Sequence, residues 1–236
     1  MVNDSDVQTR YNVCDRIQDG SLAVQDGRTI APLINNLLSQ PGWVARIATQ
    51  DWHPANHISF ASNHPPPDNR PFESFAKMNN PAPDKKEESM PLQLWPDHCV
   101  AATSGADLIP EIDTRFIDYF VRKGMDPQIE MYSAFADAFG NLDPTVTARS
   151  VSEDVASILV KKGVTDVFAV GLAGDYCVKC TAIDAVKAGF RSWVIDQGTK
   201  CVVPENWAKV KEELRVAGVS VIHADDPIVK KLSKAL

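Results

Sequence analysis

The chain is predicted to adopt an α/β fold built on a parallel β-sheet, and three features carry that prediction. Short apolar runs alternate with helical stretches of roughly ten to fifteen residues from about residue 114 to residue 223, the pattern of βαβ units. A length of 236 residues is enough to bury a sizeable core as one domain. The composition, 44% hydrophobic and 23% charged, is that of an ordinary globular chain.

In chain order, Ile30, Leu33, Ile34, Leu37 and Leu38 form an apolar stripe at helical spacing over residues 28–39. Pro41 and Gly42 end it, and Trp43–Thr49 reads as a short strand. From Asp51 to about residue 110 the chain is rich in Pro, Asn, His and charged residues and is expected to be one long loop. It holds four of the five histidines, and long loops inside compact domains are often functional. Strands are then expected at Thr114–Val121, Asp166–Gly171, Ser192–Asp196 and Val219–His223. Helices are expected at Glu153–Lys162, Cys177–Gly189 and Glu205–Ala217.

Several functions are disfavoured from the outset. A formal charge of −7 argues against a surface that tracks nucleic-acid phosphates. No apolar run approaches the ~18 residues of a membrane span, and the N-terminus lacks the charged-then-apolar order of a secretion signal. Five cysteines, an odd number, argue against a disulfide framework and for reduced thiols in a cytoplasmic-type compartment, with nucleus or peroxisome also compatible.

Ligands of open parallel sheets sit beyond the carboxyl ends of the strands. Asp51, Lys123 and Cys177 each fall at such an end, and an acid, a lysine and a thiol on one edge suit acyl transfer. The amides at a helix start would lower a thiol pKa and could stabilise an oxyanion. Cys177-x-x-Cys180 is also the spacing of a redox dithiol or of half a zinc site. Cys14, Cys99 and Cys201 stand singly, however, so no second pair completes a zinc site. The features favour Cys177 as a single nucleophile, with Cys180 a packed neighbour one helical turn on. In DWHPANH (51–57), Asp51 and His53 could direct an oxygen and a nitrogen to a divalent metal, with His98 as a third ligand. Hydrogen-bonded loop histidines are the competing reading.

Taken together, DWHPANHISF (51–60), LWPDHCV (94–100), the KG…E-x-YSAF stretch (123–135) and VGLAGDYCVKCTA (170–182) resemble the nicotinamidases of the isochorismatase-like cysteine hydrolases. The resemblance runs in order from about Gly20 to near the C-terminus. It implies a single-domain parallel β-sheet with helices on both faces, the isochorismatase-like, Rossmann-like three-layer arrangement. It also implies hydrolysis of nicotinamide, or a close small amide, to the acid and ammonia through a cysteine thioester. Cys177 would be the nucleophile and Lys123 its charge-stabilising neighbour. The amides of Ala173 and Cys177 would form the oxyanion hole, beside a cis Leu172–Ala173 peptide. Asp51, His53 and His98 would hold one divalent ion, zinc being the first choice, that meets the pyridine nitrogen. Glu130 would reach the ion directly or through water, with His57 behind the ligands. Trp95 and Tyr132 would wall the aromatic ring. The expected partner is a small molecule, with neither nucleic acid nor membrane involved; a homo-oligomer is possible.

The first nineteen residues depart from the family. Its members begin with an apolar strand running into Val-Asp-x-Gln-x-Asp-Phe, whose first aspartate moves the proton. Here Asp6-Val7-Gln8 has the tripeptide but no strand behind it, whereas Asp15 follows a plausible strand, Tyr11–Cys14, but lacks the glutamine. Asp15 is the better candidate of the two, and the broken motif predicts a weakly active or inactive chain, at the limit an impaired family member that keeps the fold and metal site.

Overall fold

The computed structural model describes residues 7–12 and 21–233, with side chains described from Ser21 onward. Its elements in chain order are β1 (Val7–Asn12), α1 (Ala31–Leu38), β2 (Trp43–Asp51), β3 (Phe75–Asn79), β4 (Ser89–Gln93), β5 (Tyr119–Lys123), α2 (Pro144–Thr147), α3 (Val155–Lys161), β6 (Asp166–Leu172), α4 (Lys179–Lys187), β7 (Arg191–Lys200), α5 (Trp207–Val216), β8 (Ser220–Ile222) and α6 (Pro227–Lys230). Six strands form one sheet in the order β5-β2-β1-β6-β7-β8, and β3 pairs with β4 in a separate hairpin. Every pairing in the six-stranded sheet is parallel. The parallel sheet expected from the alternation is therefore present.

Strand β6 shows why helices cover both faces. All seven of its residues are buried, as expected of a central parallel strand. Successive side chains point to opposite faces. Phe168, Val170 and Leu172 pack with Ile30, Ile34 and Leu38 of the α1 side and with Val229 of α6. Val167 packs on the other face with Val155 and Leu159 of α3, and Ala169 with Ala182 of α4 and Leu214 of α5. The result is three layers with the sheet in the middle.

Several boundaries differ from expectation for identifiable reasons. The stripe at 28–39 opens as a 3₁₀ turn, Gly27–Ile30, before α1 begins with Pro32 in its first turn. The strand expected over Thr114–Val121 starts only at Tyr119, because the Asp113 carboxylate accepts from the Arg115 amide and turns Thr114–Phe116 into a 3₁₀ segment. The helical run around Cys177 begins three residues earlier, with a wide π turn over Gly174–Val178 that leads into α4.

The long segment after Asp51 is not a featureless loop. It contains the β3–β4 hairpin, whose inward-facing Met78 and Leu92 are buried against Ile129. Pro91 is tolerated there because a two-stranded ribbon consists of edges alone.

Strand β1 shares the centre of the sheet with β6; its Val7 lies beside Trp43 and Asp166 and its Asn12 beside Thr49 and Gly171. The strand anticipated over Tyr11–Cys14 is thus displaced toward the N-terminus, and Val7 and Gln8 of the Asp-x-Gln tripeptide open it. Asp6 and Asp15 themselves lie outside the described residues.

Candidate active site

The carboxyl edge of the sheet collects the reactive groups. Asp51 and Lys123 are paired residues at the ends of β2 and β5. Cys177 stands in the turn that follows β6. All three are essentially fully buried. The Lys123 ammonium is in short contact with Asp51 Oδ1 and donates to the Met131 carbonyl at 3.1 Å and to Cys177 Sγ at 3.4 Å. A buried ammonium is tolerated only when its charge is met and its protons are placed. The carboxylate, the carbonyl and the sulfur do both. A lysine held against a thiol strengthens its contact as the sulfur becomes anionic.

The turn that carries Cys177 is held from both ends. The amides of Tyr176 and Val178 donate to the Ala173 carbonyl at 3.1 and 3.0 Å. Both oxygens of buried Asp175 accept from backbone amides, those of Val202 at 2.9 Å and Val203 at 3.1 Å. The Leu172–Ala173 peptide is cis, as the resemblance implied. Cys99, Cys177, Cys180 and Cys201 form no disulfide with one another. The Cys180 thiol is pushed up to about 12, first by burial of the group and then by Cys177. Cys180 is only partly covered as a residue, less buried than expected of a packed small side chain.

The histidines are brought in by backbone pairing. The His53 amide donates to the Cys99 carbonyl at 3.1 Å and the Ala101 amide to the His53 carbonyl at 2.8 Å. This parallel bridge lays the LWPDHCV segment along DWH, so His53 and His98 face one another with ring centroids 5.1 Å apart. Ligand atoms of Asp51, His53 and His98 all lie within 4.8 Å of each other, and so do those of His53, His57 and Glu130.

Hydrogen bonding distinguishes the two groups. His53 Nδ1 lies 3.0 Å from the Gly124 carbonyl, which can only accept, so Nδ1 carries the proton and Nε2 the lone pair. That Nε2 is buried with no hydrogen-bond partner among the described residues, the condition of a nitrogen shaped to bind a metal. His98 Nδ1 is likewise 2.8 Å from the Pro96 carbonyl, which puts the lone pair on Nε2. His57 has both nitrogens engaged, Nε2 with the Ile129 carbonyl at 3.3 Å and Nδ1 with Ser59 Oγ at 2.7 Å. Asp51, His53 and His98 therefore fit a divalent ion, while the His57 ring lies against that of His53 at 4.2 Å. Burial first, and then His57, hold the His53 imidazole well below its usual pKa, against the opposing pull of Asp51 and the Gly124 carbonyl. A neutral ring is the form that ligates a metal. Buried Glu130 accepts from its neighbour's amide, Met131, at 2.8 Å.

Tyr176, the residue before Cys177, belongs to a set of aromatic rings. Trp95 Nε1 lies 3.4 Å from the Tyr132 hydroxyl, and the Trp95 ring meets Tyr176 edge-on at 5.1 Å. Tyr132 and Tyr176 are 5.5 Å apart. Trp95 and Tyr132 were anticipated as wall residues, whereas Tyr176 and Gly124 were not. The signals for both were local: Tyr176 immediately precedes the nucleophile candidate, and Gly124 follows the lysine.

Comparison with known proteins agrees with this geometry. Residues 60–226 match the isochorismatase domain. The nicotinamidase of Acinetobacter baylyi is 39% identical over 183 residues, 78% of this chain and 75% of that protein. The nicotinamidase of Saccharomyces cerevisiae is 34% identical over 211 residues, 86% of this chain and 91% of that one. Among solved structures, the yeast nicotinamidase superposes with a TM-score of 0.79 at 32% identity, covering 92% of this chain and 98% of that chain. An L. infantum homologue solved with nicotinate gives 0.72 at 30% identity, covering 93% of each chain. The pyrazinamidase of Pyrococcus horikoshii, solved with zinc, gives 0.68 at 27% identity, covering 92% and 99%. No helix among the described residues is long and apolar enough to cross a membrane. The site geometry, the fold and these likenesses converge: the chain belongs to the isochorismatase family.

Proposed function

We propose that this protein is a nicotinamidase, a single-domain amidohydrolase that converts nicotinamide to nicotinate and ammonia through a thioester on Cys177. The observation that carries the proposal is the placement of the buried Lys123 ammonium between Asp51 and Cys177 Sγ, with the ring of Tyr176, the residue before Cys177, grouped with those of Trp95 and Tyr132. A flat aromatic amide fits between such rings, and its carbonyl carbon is the electrophile a thiolate attacks.

The Cys177 thiolate adds to the amide carbon, and the carbonyl π pair moves onto oxygen. The amides of Ala173 and Cys177 receive that negative charge. The tetrahedral intermediate collapses, its C–N bond breaks, and the nitrogen leaves as ammonia after gaining a proton. Water then adds to the thioester, nicotinate departs, and the sulfur is released. Lys123 holds negative charge on the sulfur at the start and end of the cycle. We assign the proton to Asp15, because β1 delivers the chain to the carboxyl edge at Asn12, beside Gly171 of β6.

Asp51, His53 and His98 would hold a divalent ion, zinc by preference for a mixed oxygen and nitrogen donor set. Bound there, the ion offers a Lewis-acid anchor for the pyridine nitrogen.

The test is ammonia release from nicotinamide by purified protein supplied with zinc, beside Cys177→Ala. Turnover by the parent that is lost in the variant supports the proposal. No release by the parent, or release that survives in Cys177→Ala, refutes it.

A further inference from the structure

We propose that Phe72 is a positioning residue for the ring-binding wall, holding Trp95 in the plane that accepts a flat substrate. This rests on the reading of Trp95, Tyr132 and Tyr176 as that wall. The first observation is backbone strain. Phe72 has φ 68°, a left-handed conformation that is a genuine outlier for a bulky residue. Such conformations persist only where the surroundings over-determine them, and they cluster at functional sites.

Here the surroundings do over-determine it. The Phe72 amide donates to the Leu94 carbonyl at 2.7 Å, and the Phe72 carbonyl accepts from Gln93 Nε2 at 2.7 Å. The turn is closed by the Ser74 amide on the Arg70 carbonyl at 2.9 Å and by the Arg70 amide on Ser74 Oγ at 3.1 Å. What the strain gains is not burial, since Phe72 remains 49% exposed. Its ring instead stands edge-on to Trp95, 5.7 Å between centroids at 89°.

Backbone and side chain therefore act on the same neighbour. The acceptor of the Phe72 amide is the residue immediately before Trp95, and the Phe72 ring abuts the indole itself. Trp95 passes the constraint on by meeting Tyr176 at 89°, and Tyr176 is joined directly to Cys177. Phe72 thus sets the tilt of the indole from outside while Tyr176 sets it from inside. Its removal should loosen ring binding more than it slows the chemistry at sulfur.

Four variants of the full chain test this: Phe72→Ala, Phe72→Gly, Phe72→Tyr and Trp95→Ala. Loss of an aromatic pair should raise KM for nicotinamide about three- to tenfold in the Ala and Gly variants, with kcat within about twofold. Phe72→Tyr keeps the ring and should stay near the parent. Ala and Gly both lack the ring, so their difference reports the backbone. Glycine relaxes at this φ and should melt about 2–4 °C above alanine, the reverse of the ordinary order. Calorimetric binding of nicotinate to all five proteins gives the same comparison without turnover.

Parent-like KM and nicotinate affinity in Phe72→Gly, while Trp95→Ala loses both, would overturn the role of Phe72 and leave the wall intact. Glycine melting below alanine, or failure of tyrosine to rescue, would overturn it too. A parent that neither binds nicotinate nor releases ammonia would sink both the wall and Phe72. Binding without turnover would sink the proposed activity alone.

Discussion

Gly124→Ala is the smallest change expected to damage the proposed metal site. Gly124 follows Lys123 and turns the chain with φ 68°. A methyl group there would sit 2.4 Å from His53 Cε1 and 2.6 Å from His53 Nδ1, well inside contact distance. Two costs combine. A left-handed alanine costs roughly 1–2 kcal/mol, and forcing a group into packed space typically costs a further 1–3 kcal/mol. A central value of about 3 kcal/mol lowers the melting temperature of a chain this size by about 6–12 °C. The imidazole is the part able to move, and moving it breaks the bond from Nδ1 to the Gly124 carbonyl that aims Nε2. Zinc binding should therefore weaken by about tenfold or more, in line with other losses of a ligand's hydrogen-bond support. Thermal melts with and without zinc, and calorimetric zinc titration, measure the two effects. A variant that melts within a degree of the parent and binds zinc as tightly would refute the reasoning.

Three further predictions concern the thiols, acid stability and the proton carrier. Brief iodoacetamide treatment at pH 8 should label Cys177 in preference to Cys180, whose thiol is pushed up to about 12; peptide mapping that finds the reverse would return the dithiol reading to favour. The metal-free protein should lose stability as pH falls below about 6.5, because the unfolded His53 takes up a proton that the folded one refuses. The depressed folded-state pKa gives the sign, and for His53 alone the slope cannot exceed about 1.4 kcal/mol per pH unit; denaturant melts from pH 5 to 8 check it. Asp15→Asn should cut nicotinamide turnover by about 10²–10⁴-fold, the usual contribution of a positioned acid, while Asp6→Asn retains it; a large loss confined to Asp6→Asn would reverse the assignment.

Legibility in the sequence followed the physics of each element. Asp51, Lys123 and Cys177 were found because each ends or follows a strand of a parallel sheet, where polar residues break an apolar run. His53 and His98 stood out by residue type, but the bridge that joins them pairs His53 with Val100 across a long sequence separation, which no local pattern announces. The β3–β4 hairpin escaped because only one residue of each strand is buried and both strands lie among prolines and charges. Strand β1 was misplaced for a different reason. A central parallel strand usually reads as a continuous apolar run, and VQTRYN does not, so its position emerges only from its register with β2 and β6. Gly124 and Tyr176 were passed over because their importance lies in what a neighbour needs: room for an imidazole in one case and a partner ring in the other.

Asp51 ties the two halves of the site together. One of its oxygens meets the Lys123 ammonium that faces the Cys177 sulfur, and the same carboxylate belongs to the cluster with His53 and His98. With every member buried, charge at one end is felt at the other, since little water intervenes to screen it. Metal binding would draw carboxylate charge away from Lys123 and leave the ammonium freer to support an anionic sulfur. Formation of the thiolate would in turn bind the ammonium more strongly and release the carboxylate toward the metal. With a metal held there, metal affinity and thiol ionisation would be reciprocal quantities, coupled by the ordinary rules of linkage. His98 would share in this as a ligand, whereas Asp51 faces the lysine as well as the histidines.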